Sequence, residues 1–175
     1  MAPPILCVVG RPGAGKTTLI LRLLPELRAL GMSVGTVRRG DLPLDRERTD
    51  EDRLRLAGAE TVVLSSPGQV AVVKAVNDEL WLDELAREFF DDRHLILAEG
   101  YFRSAHPKIE VHRSAVHGLP LCDRRNAKEK RLLAMVCDVK PDTDLPCFGL
   151  DEARAVAAFI ARHHLGWVHS GLWAD

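Results

Sequence analysis

The segment Gly10-Arg11-Pro12-Gly13-Ala14-Gly15-Lys16-Thr17-Thr18 follows the apolar run Ile5 to Val9 and precedes a helix-period stretch from Leu19 to Leu30. Its G-x-x-x-x-G-K-T spacing, set between a strand and a helix, restricts the chain to phosphate-loop architectures. The glycines let the backbone turn sharply and approach a phosphate chain with no side chain intervening. The amides of Gly13, Ala14, Gly15 and Lys16 are then expected to point at β-phosphate oxygens, helped by the positive end of the following helix. Lys16 is expected to bridge the β- and γ-phosphates, and the Thr17 hydroxyl to ligate Mg²⁺. With Arg11, Pro12 and Thr18 these residues make the expected nucleotide-binding set. A glycine-rich turn that matches by coincidence is the alternative, and the flanking strand and helix argue against it.

The rest of the chain sets bounds on what the loop can serve. Its 175 residues suit a single nucleotide-binding domain with its own core. A net charge of −1 exerts no long-range pull toward nucleic acid or an anionic membrane, so neither is an expected partner. No apolar stretch nears the ~20 residues needed to span a bilayer, and Met1-Ala2-Pro3-Pro4 lacks a signal-peptide pattern. The expected location is cytoplasmic. Cys7, Cys122, Cys137 and Cys147 show neither C-x-x-C pairs nor zinc-site spacing. Cys7 and Cys137 lie in apolar runs and read as small core residues. His163-His164 reads as a solvated helix end, because adjacent helical side chains diverge.

Apolar runs alternate with helix-period segments, which points to an α/β fold: a phosphate-loop three-layer sandwich with a mostly parallel sheet. The expected strands are Ile5 to Val9, Ser33 to Arg38, Leu95 to Ala98, Ile109 to Arg113 and Leu132 to Cys137. Thr61 to Leu64 and Val70 to Val76, joined through Ser65-Ser66-Pro67-Gly68, read as a hairpin forming an antiparallel edge. Helices are expected over Leu19 to Leu30, with Pro25 kinking it, and over Asp50 to Ala57 closed by Gly58. Two more should start at the Asn77/Asp78 cap and near Asp151, the last burying Ala155, Val156, Phe159 and Ile160.

In such folds ligands sit beyond the carboxyl ends of the strands. Leu95-Ile96-Leu97-Ala98-Glu99-Gly100 delivers a carboxylate to that edge, where Glu99 can hold Mg²⁺ or position water. The alternative for a strand-end acid is a loop cap. Asp41, Asp45 and Asp50 lie in or just after the loop that follows the second strand, with Arg38, Arg39, Arg46 and Arg48 among them. Those arginines can clamp phosphates or pair with the aspartates on a solvated surface. Asp41 joins Glu99 as a candidate metal and catalytic acid. For the base, guanine offers two adjacent N–H donors that adenine lacks, and Asp138 and Asp142 follow the late strand as candidate acceptors. The stretch Asp123 to Arg131 interleaves both signs of charge without aromatics, the pattern of a solvated segment.

Taken together these residues resemble the B proteins of molybdopterin-guanine dinucleotide biosynthesis, small phosphate-loop GTP-binding proteins. Beyond the loop, Leu54-Arg55-Leu56-Ala57-Gly58-Ala59, Leu95-Ile96-Leu97-Ala98-Glu99-Gly100-Tyr101 and Pro107-Lys108-Ile109-Glu110-Val111-His112-Arg113 carry the similarity, the last two most specifically. The resemblance implies a weak, Mg²⁺-dependent GTPase, a homodimer, with the Gln69 to Val76 hairpin as candidate dimer element. Its implied partner is the guanylyltransferase that attaches GMP to molybdopterin. No obvious catalytic glutamine is present, so slow turnover is expected. Where that family carries K-H-T-H-H-D after the second strand, this chain has Arg38-Arg39-Gly40-Asp41. Arginine can hold phosphate there but cannot act as an imidazole base or metal ligand. A small-molecule kinase with residues 124–131 as a lid, a metal-delivery GTPase and a non-catalytic relic are the competing readings.

Overall fold

The computed structural model describes residues 2–40, 49–122 and 131–166. Two compact units emerge: Met1–Arg39 with Leu85–Asp175, and Gly40–Glu84.

The first unit is built on six parallel strands. They are β1 (Ile5–Val9), β2 (Val34–Arg38), and, counting past the hairpin, β5 (Leu95–Glu99), β6 (Lys108–His112), β7 (Leu132–Cys137) and β8 (Cys147–Phe148). Their spatial order is β2-β5-β1-β6-β7-β8. All five pairings are parallel, with Val8 beside Glu99 and Val9 beside Glu110 in register. Five wholly buried residues in β1 mark a strand covered on both faces, as a parallel sheet demands.

Side chains alternate between those faces. Leu6, Val8, Leu95, Leu97, Ile109, Val111, Ala134 and Val136 join α1 (Lys16–Ala29) and α4 (Ala153–Phe159) in one core. Leu23, Leu27, Val156, Ala157 and Ile160 are the helical half of that core. The Arg22 guanidinium meets Asp151 and the Leu150 carbonyl at the surface, a solvated link that contributes little. On the opposite face Phe90, one residue past α3 (Leu82–Phe89), seats its ring where a Cβ on Gly35 would fall, 2.3 Å away. Cys7 and Cys137 are buried there as expected, and burial pushes both thiols up, Cys137 to about 11.

The second unit holds α2 (Asp50–Leu56) and the strands β3 (Thr61–Ser66) and β4 (Gln69–Lys74). Thr49 caps α2 by accepting from the Asp52 amide, and Gly58 follows its end at φ 110°. The hairpin has the expected partners, but it forms a sheet of its own rather than an edge of the large one. A turn signal specifies which two strands meet, not whether a third joins them.

Three further expectations are corrected. Helix α3 starts at Leu82, not near Asn77, because the Glu84 carboxylate reaches back to the Trp81 amide at 2.7 Å and fixes the first turn there. Ala155 is exposed while Ala153, Ala157 and Ala161 are buried, which shifts the apolar stripe of α4. The C-terminal end continues as a π-helical turn, Ile160–His164, with His164 Nε2 buried. Burial holds His164 below the ordinary imidazole range, while His163 stacks on Phe159 at 4.8 Å. Strand β8 went unforeseen, because two residues carry no periodicity.

Candidate functional site

The loop leaves β1 through Gly10, whose φ is 145°. A Cβ there would lie 2.3 Å from the Val111 carbonyl oxygen, so only glycine lets the loop pass the backbone of β6. Next comes a tight turn in which the Ala14 amide donates to the Arg11 carbonyl at 3.2 Å. Gly15, left-handed at φ 101°, leads into α1 without any side-chain cap. The first-turn amides of a 14-residue helix are thereby left to an anion.

Lys16 is half-buried, with Nζ 3.1 Å from both the Gly10 and Arg11 carbonyl oxygens. These two carbonyls hold the ammonium over the loop. Beside it the Thr17 hydroxyl donates to Glu99 Oε1 at 2.8 Å. This contact joins residues 82 positions apart, because β5 lies directly against β1. A hydroxyl and a carboxylate are hard oxygen donors of the kind Mg²⁺ uses beside nucleotide phosphates, so the pair fits that ion. Among the described residues no three His, Cys, Asp or Glu converge on a metal site.

Other nominated residues share this sheet edge. Arg38 is the register partner of Glu99 at the exposed end of β2, and Arg39 follows it. Asp142 is exposed. Asp138 is engaged otherwise: Oδ1 accepts from the Ser114 amide at 2.8 Å and the Val139 amide at 2.9 Å. Its Oδ2 accepts from the Ala115 amide at 3.3 Å. The Ser114 amide above all, with Ala115 and Val139, holds the Asp138 carboxyl down at about 2. Asp41, Asp45, Arg46, Arg48 and residues 124–130 lie outside the described residues.

Sequence reasoning gave the segment between β6 and residue 122 no role in the site. On β6 the core residues Ile109 and Val111 alternate with Lys108, Glu110 and His112, all buried. Lys108 Nζ donates to the Ser104 and His106 carbonyls, and Glu110 accepts from the Leu121 and Cys122 amides. These two charges therefore pin the loops on either side of the strand. The segment held by Asp138 and Glu110 lies on the phosphate loop: His117 Nε2 is 2.8 Å from the Pro12 carbonyl oxygen, and Arg11 Nε donates to the Leu119 carbonyl at 3.3 Å. The signal was present as a K-x-E-x-H alternation, polar where a two-sided strand should be apolar.

The chain is similar to known proteins. A family model described as molybdopterin guanine dinucleotide synthesis protein B matches residues 5–138. The chain is 30% identical over 172 residues to the molybdopterin-guanine dinucleotide biosynthesis adapter protein of Haemophilus influenzae, covering 95% of this chain and 90% of that one. The Escherichia coli adapter protein is 27% identical over 165 residues, covering 90% and 91%. A crystal structure of molybdopterin-guanine biosynthesis protein B superposes with a TM-score of 0.72 at 31% identity, covering 89% of this chain and 97% of that one. No helix among the described residues is long and apolar enough to cross a membrane.

The Asp138 contacts carry a pH signature. A carboxyl lowered by folding contributes stability that is full above its unfolded value near ~3.9 and is lost as pH falls toward about 2. The stability gap between the native protein and Asp138→Asn should hold steady above about pH 5 and close between about pH 4 and 2. Urea unfolding at stepped pH measures it, and a gap unchanged at pH 2 would refute the charged-acceptor role.

Proposed function

The chain belongs to the molybdopterin guanine dinucleotide synthesis protein B family, and from that premise we propose that it binds GTP at the phosphate loop and works as an adapter for the guanylyltransferase that attaches GMP to molybdopterin. The observation that carries this reading is the Thr17–Glu99 contact beside the Lys16 ammonium. In that arrangement the uncapped amides of α1 receive phosphate oxygens, and Lys16 exchanges two carbonyls for the β- and γ-phosphates. Thr17 and Glu99 are the residues that would hold Mg²⁺, which when bound offsets phosphate charge. Arg38, in register with Glu99, adds a phosphate contact in this reading. Hydrolysis in this reading is a slow in-line attack by water, stabilised by Lys16 and the loop amides. The site suits a protein that reports nucleotide state to a partner in the cytoplasm.

Base preference falls to Asp142. Both Asp138 oxygens already accept main-chain amides, whereas Asp142 is exposed four residues further on. Dimerisation is assigned to the second unit, where Val63, Leu64, Val70 and Val72 of the hairpin are exposed.

Folded Lys16→Ala should bind Mg²⁺–GTP at least about tenfold more weakly by calorimetry, since a charge-assisted contact is deleted without a core cavity. It should also lose the gain in dinucleotide yield that the native chain brings to a reconstituted guanylyltransferase reaction. Unchanged GTP affinity would sink the phosphate-loop reading. Asp142→Asn should bring GTP and ATP affinities together, losing about tenfold or more of a guanine preference. If the native protein binds both bases equally, Asp142 reads nothing. Finally, Val70→Asp should sediment as a monomer at concentrations where the native chain is a dimer. A variant that stays dimeric would place the interface elsewhere.

A further inference from the structure

Deepening that reading of the phosphate loop, we propose that His117 is a positioning residue that sets the loop for phosphate by holding the Pro12–Gly13 peptide in one orientation. Pro12 cannot reach positive φ, and Gly13 sits at φ 75°, so the turn closed by the Ala14 amide on the Arg11 carbonyl is type II. Turns with proline then glycine at their centre have a near neighbour, type I, reached by flipping the central peptide. In a trans peptide the C=O and the following N–H point in opposite directions. A flip would turn the Gly13 amide away from the anion and present the Pro12 carbonyl in its place. Glycine puts up little resistance to such a flip.

His117 supplies the resistance. Its Nε2 lies 2.8 Å from the Pro12 oxygen, and a carbonyl only accepts, so Nε2 carries the proton and donates. The histidine is itself held. Asp138 fixes Ser114 and Ala115 at the near end of the segment, and the fully buried Glu110 fixes Leu121 and Cys122 at the far end. The Arg11 guanidinium on the Leu119 carbonyl gives a second attachment to the loop. Val116 Cγ1 is 3.9 Å from where a Cβ on Gly13 would sit, so the segment also closes over the glycine. All these groups belong to the first compact unit. Asp138 thus acts on nucleotide through the position of His117 rather than by reading a base.

The test compares Mg²⁺–GTP, Mg²⁺–ATP and inorganic triphosphate as calorimetric ligands of the full chain. His117→Ala should bind GTP and triphosphate about threefold to tenfold more weakly, the size of one net hydrogen bond, while still unfolding cooperatively without ligand. His117→Gln, whose amide can donate to the same carbonyl, should recover most of that loss. Asp138→Asn should weaken GTP and ATP by one common factor. In amide NMR spectra, the shift of Gly13 on adding triphosphate should shrink in His117→Ala. Native affinity for both ligands in His117→Ala overturns the proposal, as does a loss confined to GTP, which would place His117 at the base. Failure of the native protein to bind either ligand would overturn the phosphate-loop reading along with it, whereas native binding with no loss in the variant removes the positioning role alone.

Discussion

The site hangs on one backbone-to-backbone approach, at Gly10 against the carbonyl of Val111. Strand β1 is central, and its exit must run beside β6 before turning over the sheet edge into α1. A Cβ at Gly10 would meet that carbonyl oxygen at 2.3 Å, and backbone cannot yield as a side chain does. With the loop seated there, its Gly10 and Arg11 carbonyls face Lys16, and its amides remain with α1 for an anion. The same seating brings Pro12 to His117 and Arg11 to Leu119. Geometry this dependent on one missing methyl group belongs to the fold as much as to the ligand.

Buried charge does the complementary work. Lys108 and Glu110 sit on the face of β6 opposite the main core, where unpaired ions would be costly. Each is satisfied by main-chain groups of a neighbouring loop, Lys108 by Ser104 and His106, Glu110 by Leu121 and Cys122. Irregular segments cannot use sheet ladders to fix their position, so a charged side chain reaching from a rigid strand serves instead. Loops flanking the nucleotide edge are thereby held by strands whose own position the sheet determines. The family resemblance carried by Pro107 to Arg113 acquires a physical meaning here, since that stretch organises loops and need not touch phosphate itself.

Much of the fold was legible in the chain because its signals are local. The apolar run Ile5 to Val9, the glycine spacing after it and the leucine period of α1 each depend on neighbours within a few residues. Glu99 could be nominated because it ends an apolar strand, and the hairpin because Pro67-Gly68 lies between two β-branched runs. The start of α3 was misjudged because the Glu84 side chain, not the Asn77/Asp78 cap, satisfies the first free amide.

What lay beyond local signals was strand order, and the site depends on it. Nothing in the linear chain states that β5 lies on one side of β1 and β6 on the other. Yet this order sets Glu99 against Thr17 and places His117 and Asp138 around Pro12 and the loop that covers it. Asp138 shows the difference: as a strand-end acid it reads as a candidate base acceptor, and only the neighbouring segment reveals that both its oxygens also accept main-chain amides. The sequence by itself determined the phosphate loop, its flanking strand and helix, and the α/β class, because periodicity and glycine conformation are properties of short stretches. Tertiary structure decided which groups Glu99 and Asp138 engage, because hydrogen-bond satisfaction across 24 or 82 residues is settled only when the strands stand side by side.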